Sequence, residues 1–410
     1  MKLFRAISAA ALAIMLLGSC SRGEMGYSYT DESTRGKVLV FYAAAYNNIS
    51  SYITRNVQTI TKGKLPAPYG KKAVLVYCHS GIGPSYLCRL SSDEFGKAVS
   101  DTLYTIEAGR SAADAGVLAE VLGAVLDEYP QDSYSYTLIL SSHGNGWYPK
   151  WAKNEEGEES WDFAPRRKTF GYETIRNVNY QIDIADLADA IPMKLDCLVF
   201  DACMMGGIEV AYQLREKVVK LCCSPAEVPG NGYLYFDIDG LILSESASPE
   251  SFSRAFFEYY RNALETGHPS ADAMYGATST TVDCSKLEPL AEVCRTLFEK
   301  YRSEIAALDY SDVQRYYRTD PRLTYYFDFF DLRDILLHAG ITPEEDAALG
   351  AALDGCISYK GATRSFLKDY YGFDIKTFCG LSMYLPCKGN ADLDAFYKTL
   401  DWNADTELVK

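Results

Sequence analysis

The chain has 410 residues, 48% hydrophobic and 23% charged, which is an ordinary globular composition and excludes a collagen, a coiled coil or a disordered chain. A net charge of −15 at pH 7 repels nucleic acid, so no nucleic-acid partner is expected; most of the acids read as a solvated surface. The length accommodates one large α/β unit or two moderate domains.

In chain order, Lys2 and Arg5 precede the apolar stretch "AISAAALAIMLL", too short to span a bilayer. It meets Leu17-Gly18-Ser19-Cys20, small residues before a cysteine, as in a bacterial lipobox. Residues 1–19 are therefore expected to be a lipoprotein signal peptide and Cys20 the lipid-attachment site. Losing Lys2 and Arg5 would take the net charge from −15 to −17. The expectation is an exported protein, tethered to the cell envelope by its lipid alone. Residues 20–36 are small and polar and read as a tether. Cys20 apart, eleven cysteines remain, several of them within apolar runs where cysteine acts as a small buried hydrophobe. Export permits disulfides, and the sequence does not decide their state. No zinc-ligand spacing occurs.

"KVLVFYAAA" from Lys37 and "KAVLVYC" from Lys72 are continuous apolar runs, as in strands covered on both faces. "SAADAGVLAEVLGAVLDEY" from Ser111 has helical periodicity, with Ser111 as the expected cap. The strand "YTLILSS", a long polar insert, the helix "IDIADLADAI", the strand "DCLVFDA", the helix "GIEVAYQLREK" and the strand "VVKLCCS" follow. Alternation of this kind predicts a mostly parallel sheet with helices on both faces. Residues 37–283 are read as this main domain. Residues 284–410 are read as a smaller α/β part, with helices in "LEPLAEVCRTLFEKY" and "FFDLRDILLHAG" and a strand in "GLSMYLP".

Two of these strands stop on reactive side chains. In an open parallel sheet ligands bind beyond the carboxyl ends of the strands. His143 follows one strand and Cys203 another. A thiol of ordinary pKa, about 8.5, is only a few per cent ionised at neutral pH, and an adjacent imidazole is its usual activator. A helix starting after Cys203 would favour the thiolate through its dipole. Gly144 lacks a Cβ, so a carbonyl can approach its N–H. Asp201, two residues before Cys203 in an extended segment, faces the same side.

The motifs His143-Gly144-Asn145-Gly146-Trp147 and Asp201-Ala202-Cys203-Met204-Met205-Gly206, with "PGNGYLY" from Pro229, "FFDLRDIL" from Phe329 and "GLSMYLP" from Gly380, resemble the clostripain family of cysteine peptidases. The resemblance spans most of residues 37–390. It implies a caspase-like αβα sandwich and acyl transfer with Cys203 as nucleophile and His143 as general acid/base. It also implies Gly144 in the oxyanion hole, and Asp201 and Asn231 at the pocket for a basic P1 side chain. The family often has an acid where Asn231 stands, and Asp-Asn-Asn where Tyr46-Asn47-Asn48 stands.

Family members self-cleave after a basic residue in the insert following the histidine. The candidates here are Lys150, Lys153, Arg166, Arg167 and Lys168. No cofactor is expected; if calcium is needed, Glu155, Glu156, Glu158 and Glu159 offer oxygens without an EF-hand pattern. The partner is a peptide or protein substrate, and the protein is expected to act as a monomer. Two other readings share the same residues: a peptidase with a non-basic P1 preference, suggested by Asn231, and a surface binding lipoprotein without turnover.

Overall fold

Each apolar run that the sequence marks as a strand is one. In the computed structural model the described residues are 35–149, 169–267, 275–318, 329–368, 371–386 and 390–410. Cys20, the expected signal peptide and most of the tether lie outside them. The strands are β1 (Gly36–Ala44), β2 (Lys72–His79), β3 (Ser85–Ser92), β4 (Ala98–Ile106), β5 (Tyr134–Ser141), β6 (Phe170–Ile175), β7 (Val178–Ile182), β8 (Leu195–Asp201), β9 (Val218–Cys223), β10 (Thr278–Asp283), β11 (Phe330–Asp331) and β12 (Ile357–Ala362). Nine of them form one sheet in the order β12-β10-β9-β8-β5-β1-β2-β3-β4. The five central strands, β2, β1, β5, β8 and β9, are parallel, and the outer pairs on each side are antiparallel. β1 neighbours both β2 and β5, so the direction of winding reverses there. Such a reversal opens a crevice at the carboxyl ends of the strands.

Side chains alternate across β1 and feed two cores. Val38, Val40, Tyr42 and Ala44 face one, with α2 (Ala115–Glu128), α3 (Ile184–Ala190), α4 (Ile208–Gln213) and α6 (Glu288–Ala306). Leu39, Phe41 and Ala43 face the other, with α1 (Ser50–Lys62) and α5 (Pro249–Thr266). The layers are helix, sheet, helix. Both β10 and β12 belong to the large sheet, and Gly36–Lys410 form one compact unit. No helix among the described residues is long and apolar enough to cross a membrane.

The cap expected at Ser111 is instead Asp114, whose carboxylate accepts from the N–H groups of Gly116 and Val117. The reason is competition: the Ser111 hydroxyl donates to Glu173, 62 residues away.

The C-terminal region returns to the loop after β8. Ser382 N–H donates to Gly206 O at 3.0 Å, in the two-residue strand Ser382–Met383 that pairs with β11. The buried Glu209 carboxylate accepts from Tyr384 N–H at 2.8 Å and from the Tyr397 hydroxyl at 2.9 Å. Trp147 stacks on Tyr148 and meets Tyr384 and Tyr397 edge-on, with centroids 5.2 and 4.9 Å away. Trp147 and Tyr148 thus share one aromatic cluster with Tyr384 and Tyr397.

Burial pushes the Glu209 carboxyl up from 4.5 to about 7, against the pull of its two donors. Its folded pKa exceeds its unfolded one, so the stability it contributes is complete below about pH 4.5 and is lost as pH rises through 7. Chemical denaturation of the full chain at pH 5 and pH 8 should show Glu209→Gln, which keeps the accepting oxygen, losing less stability over that range than the parent, by up to about 3 kcal/mol.

Candidate active site

Register sets the site. Ala43 of β1 pairs with Ser141 of β5, and Ser141 pairs with Asp201 of β8, so three parallel strands end in step. His143 lies two residues beyond Ser141 and Cys203 two beyond Asp201. The Asn47-Asn48 turn lies just past β1, on the other side of His143. Ser142 Oγ donates to Ala44 O at 2.7 Å and locks the ends of β1 and β5 together.

Cys203 is partly exposed, and its sulfur is held against the segment after β9. Val228 N–H donates to Sγ at 3.3 Å, and the Val228 carbonyl lies 3.8 Å from Sγ. Met204 N–H donates to Ala226 O and Gly206 N–H to Ser224 O, which pins the rest of the loop to the same segment. Met204 has φ +61°, a left-handed conformation that a methionine holds only because these bonds and full burial impose it. Gly206 is required here, since a Cβ would stand 2.4 Å from Pro225 N.

The thiol is not activated in this arrangement. Burial, then the nearby Glu227 carboxylate, pushes it up to about 12; the Val228 N–H and the Arg318 guanidinium oppose that in part. The expected help from a helix dipole is missing because α4 begins at Ile208, five residues past the sulfur, and is only six residues long. Glu227 and Arg318 form an ion pair at 2.8 Å near Cys203, and both are largely buried.

His143 Nε2 lies 2.7 Å from Asn48 Oδ1. An amide oxygen accepts, so Nε2 carries the proton in this contact. No hydrogen bond joins His143 to Cys203 directly. Gly144 forms an antiparallel bridge with Phe170 in which the flanking residues make the bonds, Gly171 N–H to His143 O and Asn145 N–H to Thr169 O. The Gly144 N–H is therefore left out of that ladder and points away from it. A Cβ on Gly144 would stand 2.6 Å from Cys203 O, so histidine loop and cysteine loop touch through this glycine.

Asp201 is 7% exposed. Its carboxylate accepts from Ser141 Oγ at 3.0 Å and from the Tyr235 hydroxyl at 2.7 Å. Gly232, at φ +64°, packs directly on it. Burial raises the carboxyl to about 6, with Tyr235 and Ser141 pulling it down. Asn231, in the same turn, is partly exposed and lies 3.5 Å from Arg55 Nη1 on α1. Tyr52 of α1 packs its ring on Gly230. The structure thus gathers His143, Gly144, Cys203 and Asp201 at adjoining strand ends, with Asn231 in the turn that covers Asp201. The cleavage candidates Lys150, Lys153, Arg166, Arg167 and Lys168 lie outside the described residues, as do Glu155, Glu156, Glu158 and Glu159. Among the described residues no group of three or more His, Cys, Asp or Glu side chains is placed to hold a metal ion.

Sequence reasoning missed Asn48, Glu227 and Arg318. A signal for Asn48 was present, since it lies four residues past the end of β1, and strand ends are where ligand sites form. Nothing local marks Glu227 or Arg318, which meet across 91 residues.

A thiol and an imidazole at the ends of adjacent parallel strands, in a sheet covered by helices on both faces, define a caspase-like cysteine–histidine site. The chain belongs to the clostripain family, whose model matches residues 41–404. It is 27% identical to clostripain of Hathewaya histolytica over 243 residues, 52% of this chain and 40% of that protein, so it spans less than half of that relative's length. An inactive zymogen C11 protease from Parabacteroides distasonis is 26% identical, with a TM-score of 0.74 over 92% of this chain and 99% of that one. A secreted C11 cysteine protease from Bacteroides thetaiotaomicron, solved with an irreversible peptide inhibitor, has the same fold at 22% identity, with a TM-score of 0.75 over 91% of this chain and 99% of that one.

The closed arrangement has a measurable chemical consequence. In the intact chain Cys203 should react slowly with iodoacetamide at pH 7. Glu227→Gln removes the carboxylate that disfavours the thiolate, so its alkylation profile should move to lower pH and its rate at pH 8 should rise several-fold. Arg318→Gln should move the profile the other way.

Proposed function

We propose that the chain is a cysteine endopeptidase acting through Cys203 and His143, with a preference for Arg or Lys at P1. The observation that carries the reading is the pairing of Ser141 with Asp201, which sets imidazole and thiol at matching positions beyond neighbouring strands. Nδ1 of His143 takes the thiol proton, and the sulfur attacks the scissile carbonyl. The oxyanion that forms meets the unladdered Gly144 N–H. The imidazolium then protonates the departing amine as the C–N bond breaks. Water, deprotonated by the same imidazole, hydrolyses the thioester and releases the acid. Asn48 keeps the tautomer correct throughout. A bound, desolvated P1 cation would face the Asp201 carboxylate, while Asn231 adds no second charge at the pocket.

Activation belongs to the same proposal. The segment carrying Val228 packs on the sulfur, and its movement off the sulfur is the proposed way to relieve the burial that raises the thiol. Cleavage of the insert after Lys150, Lys153, Arg166, Arg167 or Lys168 is the proposed trigger. The similarity to an inactive zymogen supports that order of events. Export and lipid attachment at Cys20 remain part of the proposal, as does the absence of any need for calcium.

Peptides ending in Arg, Lys, Asn, Asp or Leu before a fluorogenic leaving group test the reading on the full chain, with and without calcium. Arg and Lys substrates should be cleaved and Cys203→Ala should abolish it. Hydrolysis that survives Cys203→Ala, or none after nicking of the insert by trypsin, would reject it. Cys203→Ala should also stay one chain on a denaturing gel while the parent becomes two.

The Arg/Leu selectivity ratio should fall as pH drops through about 6, because the protonated Asp201 no longer attracts the cation. Asp201→Asn should lower kcat/KM for Arg substrates at least tenfold at pH 7.5, an order-of-magnitude figure for loss of a buried charge partner, and should flatten that pH dependence.

A further inference from the structure

Behind His143 lies a buried carboxylate that the reaction does not use. Glu173 is fully buried in β6 and takes four donors: Tyr46 N–H at 3.1 Å, Ala112 N–H at 2.8 Å, Ser111 Oγ at 2.5 Å and His79 Nδ1 at 2.8 Å. A buried carboxylate persists only when its oxygens are satisfied, and here the donors come from two separate loops and the end of β2. They converge at the carboxyl end of the sheet, where the site is.

Three consecutive residues of β6 grip both halves of the His143–Asn48 pair. Gly171 N–H donates to His143 O at 3.0 Å. Tyr172 O accepts from Asn47 Nδ2 at 3.0 Å. Glu173 accepts from Tyr46 N–H, the residue that opens the Tyr46-Asn47-Asn48 turn. Asn47 closes that turn from inside, with Nδ2 donating to Ala44 O and Oδ1 accepting from Ile49 N–H. Asn48 itself is exposed, and the turn that carries it is anchored through Tyr46 and Asn47.

We infer that Glu173 is a positioning residue for the reaction: by fixing the Tyr46–Asn48 turn it holds Asn48 Oδ1 against Nε2 and so keeps the His143 ring turned toward the thiol. The inference depends on the Cys203–His143 reading above. It accounts for Tyr46, which stands where the family often has an aspartate. The main-chain N–H at this position carries the link, and the side chain only lies edge-on to the His79 ring, 5.8 Å away.

The test is a double-mutant cycle on the full chain, with Glu173→Gln, Asn48→Ala and their combination, each checked for folding by thermal unfolding. Cys203→Ala serves as the control: if it retains activity, the peptidase reading fails, whatever Glu173 does. With that control inactive, Glu173→Gln should lower kcat tenfold or more with KM within twofold. In the Asn48→Ala background it should cost less than twofold further, since its route to His143 is already cut. Equal losses in both backgrounds, or a loss confined to KM, would overturn the inference. If Glu173→Gln does not fold, Ser111→Ala removes one of the four donors and leaves the carboxylate in place. It should give the same pattern with a smaller factor; an unchanged kcat would overturn the inference.

Discussion

Everything in this molecule depends on the register between β5 and β8. Pairing Ser141 with Asp201 determines that the first free residues of each strand meet, and a slip of one residue would turn every side chain of the strand to the opposite core. That register is enforced from both faces: Leu138 and Leu140 serve one core and Ile139 the other, all fully buried. The chemistry adds nothing to this constraint; it uses its outcome. Glycine at 144 then lets the histidine and cysteine loops meet, and glycine at 206 lets the cysteine loop reach Pro225, at distances that a Cβ would block.

The site is built from elements with opposing demands. A reactive thiol needs to be accessible and ionisable, yet here burial and Glu227 push Cys203 toward its protonated form, with the Val228 N–H opposing them in part. The imidazole of His143 meets Asn48, and the restraint on the thiol is local to the segment after β9.

Much of this was legible in the sequence. Continuous apolar runs gave the parallel strands because a strand covered on both faces has no polar alternation. His143 and Cys203 stood out because each interrupts such a run abruptly. What was not legible came from long-range competition. Ser111 has the form of a helix cap, but its hydroxyl is drawn to Glu173, and Asp114 takes the role. The dipole argument for Cys203 failed because Met204 to Gly207 intervene before α4. Glu227 and Arg318 are ordinary surface-type residues until the chain topology buries them together. Asn48 matches the family's pattern, with the departure at Tyr46, and nothing in the sequence gave it a role until β1 was seen to lie beside β5.

The return of the C-terminal region to the β8 loop sets a temporal order. Glu209 follows the nucleophile by six residues, but its backbone donor at Tyr384 is 175 residues further along. Gly206 likewise waits for Ser382. A ribosome delivers the N-terminal side first, so histidine, cysteine and insert all exist long before the strand that braces their loop. The loop carrying Cys203 is therefore completed only once the chain has been made past Tyr384.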